Sequence, residues 1–306
     1  MNTTPSFTHT LRQRWQAADS MLCVGLDPDP ARIPAHLGTG PEAIDRFCRD
    51  IIAATADTVC AFKPQIAYFA AQGAEDVLAG LIAHIHAEYP GIPVILDAKR
   101  GDIGSTARQY GVEAFDRFKA DALTLSPFMG FDSIEPYFEW AGRGLILLCR
   151  TSNPGGNDLQ ALSVLPAGDA TGTPSGAPSP RQSASDTASS TQPEKLYEHL
   201  ARLAAGPWNV NGELGLVVGA TFPDELARVR TLAPRLPLLV PGVGAQGGDV
   251  NATVRAGLDA DGYGLVINSS RAILYAGKGT DFADQARKAA VATRDAIRAA
   301  RNAARA

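Results

Sequence analysis

The chain has 306 residues, of which 45% are hydrophobic and 20% are charged, and its formal net charge is -4. This length suits one large α/β barrel or two modest domains, and the apolar content is sufficient for a buried core. The slight acidic excess argues against a nucleic-acid-binding surface, which normally carries an excess of Lys and Arg, and favours a small soluble partner.

Eight short apolar runs have the composition of buried parallel strands, and stretches of helical pattern separate many of them. The runs are MLCVGLD (21–27), VCAFKP (59–64), PVILDAK (93–99), ALTLSP (122–127), GLILLCRT (144–151), LGLVVGAT (214–221), PLLVPGV (237–243) and YGLVINSS (263–270). The clearest helical stretches are 42–58, 73–89, 105–119, 224–232 and 248–256. This alternation predicts an α/β fold of the (β/α)8 (TIM) barrel type. A doubly wound open sheet is the alternative, but polar or Gly-rich residues follow nearly every run, which favours the barrel.

One segment interrupts the alternation after the fifth run. Residues 167–193 contain no Leu, Ile, Val, Met or aromatic residue and are dominated by Pro, Ser, Thr, Gly and Ala. Such a composition cannot bury a core and predicts a disordered insertion. Because apolar residues flank it on both sides, we expect a single domain, 1–306, with this low-complexity insertion inside it.

Neither export nor membrane insertion is expected. No apolar run reaches the length of a membrane span, and the first twenty residues lack the apolar core of an export signal. The cysteines are scattered singly, without metal-site spacing or the density of a disulfide scaffold, at Cys23, Cys48, Cys60 and Cys149. This distribution predicts a reducing, cytoplasmic compartment.

Charged residues are concentrated where the third apolar run ends. Asp97, Lys99 and Asp102 follow the pattern D-x-K-x-x-D in VILDAKRGDIGST. Burying a carboxylate or an ammonium is costly unless it is paired, so this pattern indicates an organised ionic network. A structural ion pair at a strand end is the alternative interpretation.

Other runs also end in polar groups, among them Asp27 and Lys63. In a barrel these two residues would join Asp97 and Lys99 at one mouth, where alternating signs keep each group ionised. The five histidines lie away from the strand ends, and neither a Ser-His-Asp order nor a zinc-binding pattern is present. The remaining chemistry is electrostatic, with a lysine as the acid and with no metal.

The last two loops predict a phosphate site. PGVGAQGGD matches G-x-G-x-x-G at Gly242, Gly244 and Gly247, although a dinucleotide fold would place this motif after its first strand. In a barrel, the loops after strands seven and eight commonly hold a phosphate on backbone N–H groups. Gln246 adds an amide donor and Arg271 a guanidinium that can bind phosphate with two hydrogen bonds. A surface ion pair is the alternative role for Arg271.

Together these segments resemble the orotidine 5′-phosphate decarboxylase family, in its longer bacterial branch (type 2). The resemblance covers nearly the whole chain and follows the family's order through GLDPDP, FKPQIAYF, LDAKRGDIGST, SPFMG, CRTSNPGG, VVGAT, PGVGAQGGD and NSSRA. It implies a homodimeric barrel that converts orotidine 5′-phosphate to UMP and CO2, the last step of UMP synthesis, without a metal or an organic cofactor.

The resemblance also implies roles for individual residues. Asp97 would face the substrate carboxylate, and Lys99 would donate a proton to C6 as CO2 leaves. Asp27 and Lys63 would hold the ribose hydroxyls and complete the charged array.

Further roles concern the neighbouring subunit, the base and the phosphate. Asp102 and Thr106 would enter the neighbouring subunit's site, Ser152 would contact the pyrimidine, and Gln246 and Arg271 would bind the phosphate.

Two other functions remain open from the sequence. A metal-dependent sugar-phosphate aldolase or decarboxylase of the hexulose-phosphate synthase type shares D-x-K-x-x-D, but it carries an acidic metal ligand where this chain has Lys63. A non-catalytic barrel that binds a phosphate ligand would need Gln246 and Arg271 but would not need the charged motif at the third strand.

Overall fold

Eight parallel strands form the centre of the molecule. The computed structural model describes residues 6–165, 192–243 and 248–305. The eight strands are β1 (Leu22–Leu26), β2 (Ala61–Pro64), β3 (Ile95–Arg100), β4 (Ala122–Leu125), β5 (Gly144–Arg150), β8 (Leu214–Val218), β9 (Leu238–Pro241) and β10 (Leu265–Ser269). A separate antiparallel pair consists of β6 (Ser163–Val164) and β7 (Glu194–Lys195). Each predicted apolar run contains or overlaps one barrel strand.

The sheet closes on itself. Its strand order is β2, β1, β10, β9, β8, β5, β4, β3, and the two outer strands meet through bridges from Phe62 to Val94 and from Gln65 to Asp97. Side chains on both faces of the strands are buried, as in β1 and β8, where every residue is buried. Closure and two-sided burial are the properties of a (β/α)8 barrel, so the predicted fold class is confirmed and the open sheet is excluded.

Helices surround the barrel. They are α1 (Phe7–Ala18), α2 (Pro41–Thr55), α3 (Ile66–Ala70), α4 (Glu75–Glu88), α5 (Gly104–Gly111), α6 (Leu196–Ala205), α7 (Pro223–Leu232), α8 (Val250–Gly257), α9 (Arg271–Leu274) and α10 (Phe282–Arg305). The five predicted helical stretches correspond to α2, α4, α5, α7 and α8. The stretch 105–119 is not one α-helix, because α5 continues as a π-helical turn over Val112–Arg117. None of the helices in the described ranges is long and apolar enough to cross a membrane.

Helix α1 covers the end of the barrel where the strands begin. The backbone N–H of Phe7 donates to the carbonyl of Gly142 (2.8 Å), and the Thr8 hydroxyl donates to Glu213 (2.9 Å). Arg14 donates to the carbonyl of Val59 (2.9 Å). Each of these partners lies just before a barrel strand, so α1 closes this end. The opposite end, where the strands finish, carries the polar residues described below.

The predicted disordered insertion, residues 167–193, lies outside the described residues except for its last two positions.

Candidate active site

Two lysines and one aspartate form a continuous charged array at the ends of β2 and β3. Lys63 Nζ lies 2.8 Å from Asp97 Oδ2, and Lys99 Nζ lies 2.6 Å from Asp97 Oδ1. Lys63 and Asp97 are 4% and 8% exposed, whereas the Lys99 side chain is about half exposed, at 47%. One carboxylate therefore holds two ammonium groups, one buried and one facing solvent, as expected from opposite charges gathered at one mouth.

The array keeps its buried members ionised. Burial of Lys63 acts to lower its pKa, but attraction by Asp97 and Asp27 and the hydrogen bond to Asp97 outweigh burial and raise the pKa above its ordinary value. Burial of Asp97 acts to raise its pKa, yet the two lysines lower the pKa well below the usual carboxyl range. At neutral pH, Asp97 is therefore a carboxylate and Lys63 an ammonium.

A β-bulge in β3 places Asp97 and Lys99. The β3–β4 pairing runs from Leu96 opposite Leu123 directly to Arg100 opposite Leu125, so three residues of β3 face the single residue Thr124. Within this bulge Lys99 has φ 48°, a left-handed conformation that is uncommon for a residue with a side chain. Strained backbone positions of this kind cluster at functional sites, so the conformation makes Lys99 a candidate functional residue.

Two cavities meet above Asp97, and Asp97 and Pro241 line both. The large cavity, about 470 Å³, is lined also by Lys99, Thr124, Thr151, Ser152 and Gln160. The small cavity, about 260 Å³, is lined also by Asp27, Lys63, Tyr68, Asn268 and Arg271. The charged array thus lies where the floors of the two cavities join, so one elongated molecule can span both.

The small cavity contains unpaired acceptors. Asp27 Oδ1 and Asn268 Oδ1 are buried, and neither has a hydrogen-bond partner among the described residues. A buried acceptor without a donor is costly, so these oxygens suit the hydroxyl groups of a bound molecule. Arg271, at the start of α9, is exposed and adds a cation to the same cavity.

Tyr275 connects the loops after β1 and β10. Its hydroxyl donates to the carbonyl of Asp27 (2.7 Å) and accepts from the N–H of Asp29 (2.6 Å). Burial raises the pKa of Tyr275 to about 12, so the phenol stays protonated at neutral pH and can act as this donor. The ring stacks on Phe47, with 6.0 Å between centroids. Tyr275 thereby fixes the backbone that carries Asp27.

The loop after β5 is attached to the barrel by a buried arginine. Arg150 is 1% exposed, forms an ion pair with Glu225 and donates to Asn157 Oδ1 (2.6 Å). Gln160 Oε1 accepts from the backbone N–H of Thr151 (2.8 Å). These bonds hold both ends of the loop that carries Ser152, and this loop lines one side of the large cavity.

Not every predicted site residue lies at these cavities. Asp102 has φ 80°, and its Oδ1 accepts from the backbone N–H of Ile103 (2.8 Å), while Thr106 is exposed on α5. Neither residue lines the large or the small cavity of its own chain. Gly244 and Gln246 lie outside the described residues, so the predicted phosphate site is represented by Gly242 and Arg271.

Thr124, Gln160 and Tyr275 were not predicted from the sequence. Thr124 is a β-branched residue within an apolar strand, which is ordinary composition for a strand. Its polar neighbour, Asp97 on β3, becomes apparent only once β3 and β4 are paired. Gln160 and Tyr275 lie in loops, where no local pattern distinguishes them.

No metal site is apparent in residues 6–165, 192–243 and 248–305, since no three His, Cys, Asp or Glu side chains there are placed to hold an ion. The rival metal-dependent function requires an acidic ligand at the end of β2. That position is occupied by Lys63, whose ammonium repels a divalent cation and is already paired with Asp97.

A closed (β/α)8 barrel with a charged array and two cavities at the carboxyl ends of its strands is the architecture of a barrel enzyme that acts on a small polar substrate. Residues 20–171 match the model of the orotidine 5'-phosphate decarboxylase / HUMPS family. The chain belongs to this family, as the resemblance predicted.

Relatives of high identity extend over nearly the whole chain. It is 62% identical to the orotidine 5'-phosphate decarboxylase of Azoarcus sp. over 96% of this chain and 99% of the relative. It is 60% identical to that of Dechloromonas aromatica over 95% and 98%. Among solved structures, the Leishmania donovani OMP decarboxylase has a TM-score of 0.76 at 40% identity, covering 97% of this chain and 99% of that chain.

Proposed function

We propose that the protein converts orotidine 5′-phosphate to UMP and CO2 in de novo pyrimidine biosynthesis. The observation that carries this proposal is the Lys63–Asp97–Lys99 array beneath the two joined cavities. The relatives named orotidine 5'-phosphate decarboxylase, 56–62% identical over nearly their full length, support it. The protein is therefore a carboxy-lyase.

Lys99 is the proposed proton donor. When the bond between C6 and the carboxylate breaks, its electron pair stays on C6 and CO2 leaves. A fixed ammonium stabilises the negative charge that develops on C6, and its proton is then transferred to C6. The neutral lysine regains a proton from solvent. The half-exposed position of Lys99 in the large cavity supports this role, since the residue must reach both the substrate and water.

Asp97 is proposed to face the substrate carboxylate. Its pKa is held low, so it remains charged beside a second carboxylate, and the repulsion is relieved when CO2 departs. Asp97 also holds Lys63 and Lys99 in place through its two oxygens. Substrate repulsion and lysine positioning are therefore combined in one side chain.

The two cavities accommodate the rest of the substrate in this proposal. Asp27 and Lys63 bind the ribose hydroxyls in the small cavity, which holds the unpaired Oδ1 of Asp27. Ser152 contacts the pyrimidine in the large cavity. The phosphate is bound by Arg271, with Gln246 and the backbone of Gly244.

We propose a homodimer with shared active sites. Asp102 and Thr106 lie outside the two cavities of their own chain, on a loop and helix that face outwards. Near Asp102 along the chain, Ile103 is 48% exposed, and in the loop after β4 Phe128 is 79% and Met129 is 49% exposed. Exposed apolar side chains next to charged site residues are typical of an interface. A second copy that covers them would receive Asp102 and Thr106.

The proposed compartment is the reducing cytoplasm. All four cysteines are buried and unpaired, which agrees with a protein whose thiols are not oxidised.

The decisive experiment follows the absorbance of orotidine 5′-phosphate after addition of purified protein, with and without EDTA, beside Lys99→Ala. We expect rapid conversion to UMP that EDTA does not inhibit and that the variant lacks. Activity abolished by EDTA, or no conversion by folded protein, would favour the metal-dependent sugar-phosphate enzyme. Unchanged turnover in Lys99→Ala would contradict the role of Lys99.

A further inference from the structure

The hydroxyl of Thr124 has three hydrogen-bond partners in the active site. Its Oγ1 donates to Asp97 Oδ1 (2.9 Å) and accepts from the backbone N–H groups of Ala98 (3.0 Å) and Lys99 (2.9 Å). A hydroxyl offers one donor and two acceptor positions, so all three are in use. Thr124 is 1% exposed, and water has no ready access to replace these bonds.

These bonds coincide with the bulge that carries the reactive residues. Residues 97–99 of β3 face Thr124 alone, so the N–H groups of Ala98 and Lys99 are bonded to its side chain instead of to a strand carbonyl. Lys99 adopts its left-handed backbone conformation at this point. The Thr124 hydroxyl therefore replaces the hydrogen bonds between strands that are lost at the bulge. The same hydroxyl orients the Asp97 carboxylate, which pairs with Lys99.

We propose that Thr124 is a positioning residue that sets the Lys99 ammonium and the Asp97 carboxylate relative to the reacting carbon. It fixes Lys99 through the backbone and Asp97 through the side chain, and both effects pass through a single oxygen. This inference rests on the proposed decarboxylation. A reacting group misplaced by about 1 Å can lower a rate about 100-fold, so the position of these groups matters for turnover.

The test compares Thr124→Val with Thr124→Ser. Valine keeps the shape of threonine and removes the hydroxyl, whereas serine keeps the hydroxyl and loses one methyl group. We expect kcat to fall on the order of 100-fold in Thr124→Val. The dissociation constant of UMP, measured by titration calorimetry, should change by less than about threefold, since UMP lacks the carboxylate and is held mainly by contacts remote from the bulge. Thr124→Ser should recover most of the lost kcat.

Thr55→Val is the matched control. Thr55 is also fully buried, but it lies on α2, where its hydroxyl donates to the carbonyl of Ile51. Its variant should keep the wild-type kcat. If Thr124→Val does not fold, Thr124→Ser and Thr124→Ala replace it as the test pair, because they differ only by the hydroxyl. The serine variant should then turn over at least about tenfold faster than the alanine variant.

Three results would overturn the inference: wild-type kcat in Thr124→Val, equal impairment of the serine variant and its hydroxyl-free partner, or loss of UMP affinity in parallel with kcat. Failure of the proposed function is a separate outcome, because it would appear as absence of decarboxylation in the wild type and in Thr55→Val.

Discussion

Lys63 and Asp97 form an ion pair, 2.8 Å between Nζ and Oδ2, in which both side chains are almost completely shielded from solvent. The two residues come from adjacent strands, β2 and β3, whose ends are bridged at Gln65 and Asp97. Removing one member of a buried pair leaves the other charge without its compensation. Loss of either charge alone is therefore expected to destabilise the fold as well as to alter the site.

Lys63→Met tests this contribution, because methionine retains most of the side-chain length and removes the charge. Asp97 would keep Lys99 and Thr124 as partners, so we expect a loss of about 3 kcal/mol in the free energy of unfolding, at the low end for a broken buried pair. Urea unfolding at pH 7 measures it. The control Lys288→Met, at an exposed position of α10, should change stability by less than about 0.5 kcal/mol. Equal effects of the two variants would contradict the prediction.

The pH dependence of this stabilisation follows from the directions of the two pKa shifts. Lys63 has a raised pKa, so its contribution is complete below its unfolded pKa of about 10.4 and is lost as the pH rises through the folded value. Asp97 has a lowered pKa, so its contribution is present above about 3.9 and is lost as the pH falls towards the folded value. The advantage of wild type over Lys63→Met should therefore be constant from about pH 5 to pH 9.

Urea unfolding of both proteins across pH 3 to 10 would check this profile. An advantage that is largest at pH 3 would show that the pair is not the source of the stabilisation.

Arg271→Met separates phosphate binding from the rest of the site. A guanidinium that makes charged hydrogen bonds to phosphate contributes about 3 kcal/mol, so we expect kcat/KM for orotidine 5′-phosphate to fall about 100-fold. Turnover should fall together with affinity, because phosphate binding energy also positions the pyrimidine. Orotidine, which lacks the phosphate, should be converted equally slowly by wild type and variant. The control Arg255→Met, at an exposed position of α8, should behave as wild type. If Arg271→Met lowers the rate with orotidine, Arg271 has a structural role instead of a phosphate-binding one.

Mixed dimers test whether Asp102 acts in the neighbouring subunit. Lys99→Ala and Asp102→Ala are each expected to be nearly inactive alone. When the two are unfolded and refolded together, each mixed dimer should contain one intact site, since Lys99 of one subunit meets Asp102 of the other. Activity should rise well above that of either variant refolded by itself. A mixture no more active than the separate variants would place Asp102 in the site of its own chain.

Tyr275→Phe removes two hydrogen bonds and leaves the ring on Phe47. Without the bonds to the backbone of Asp27 and Asp29, the loop after β1 should become less ordered. At about 1 kcal/mol for each bond, the loss is about 2 kcal/mol, so we expect the KM for orotidine 5′-phosphate to rise by at most about 30-fold, with a smaller change in kcat. Steady-state kinetics measures both values. Tyr89→Phe, at the end of α4, is the control and should keep the wild-type KM. If Tyr275→Phe also has the wild-type KM, Asp27 is held by other contacts.

The barrel was predictable because its signals are local. Each strand is a short apolar run bounded by polar or Gly-rich residues. The predicted run also overlaps the observed strand at β3, which ends in the charged motif. The prediction of one helix over 105–119 was less accurate, because no residue pattern marks the change from α5 to the π-helical turn at Val112. Asp97, Lys99 and Lys63 were predicted as site residues because charges at the ends of buried strands are costly unless they are used or paired, and the structure brings these three side chains into contact.

The sequence by itself determined that the fold is a barrel, which end of the barrel carries the polar groups, and which charged residues lie at that end. It could do so because the apolar runs and the direction of parallel strands can be read residue by residue along the chain. Only the tertiary structure decided which groups touch. Asp97 pairs with Lys63, 34 positions earlier, and is oriented by Thr124, 27 positions later, through the register of three strands and one bulge. Register depends on contacts between distant segments, and a shift of one residue turns every side chain to the other face.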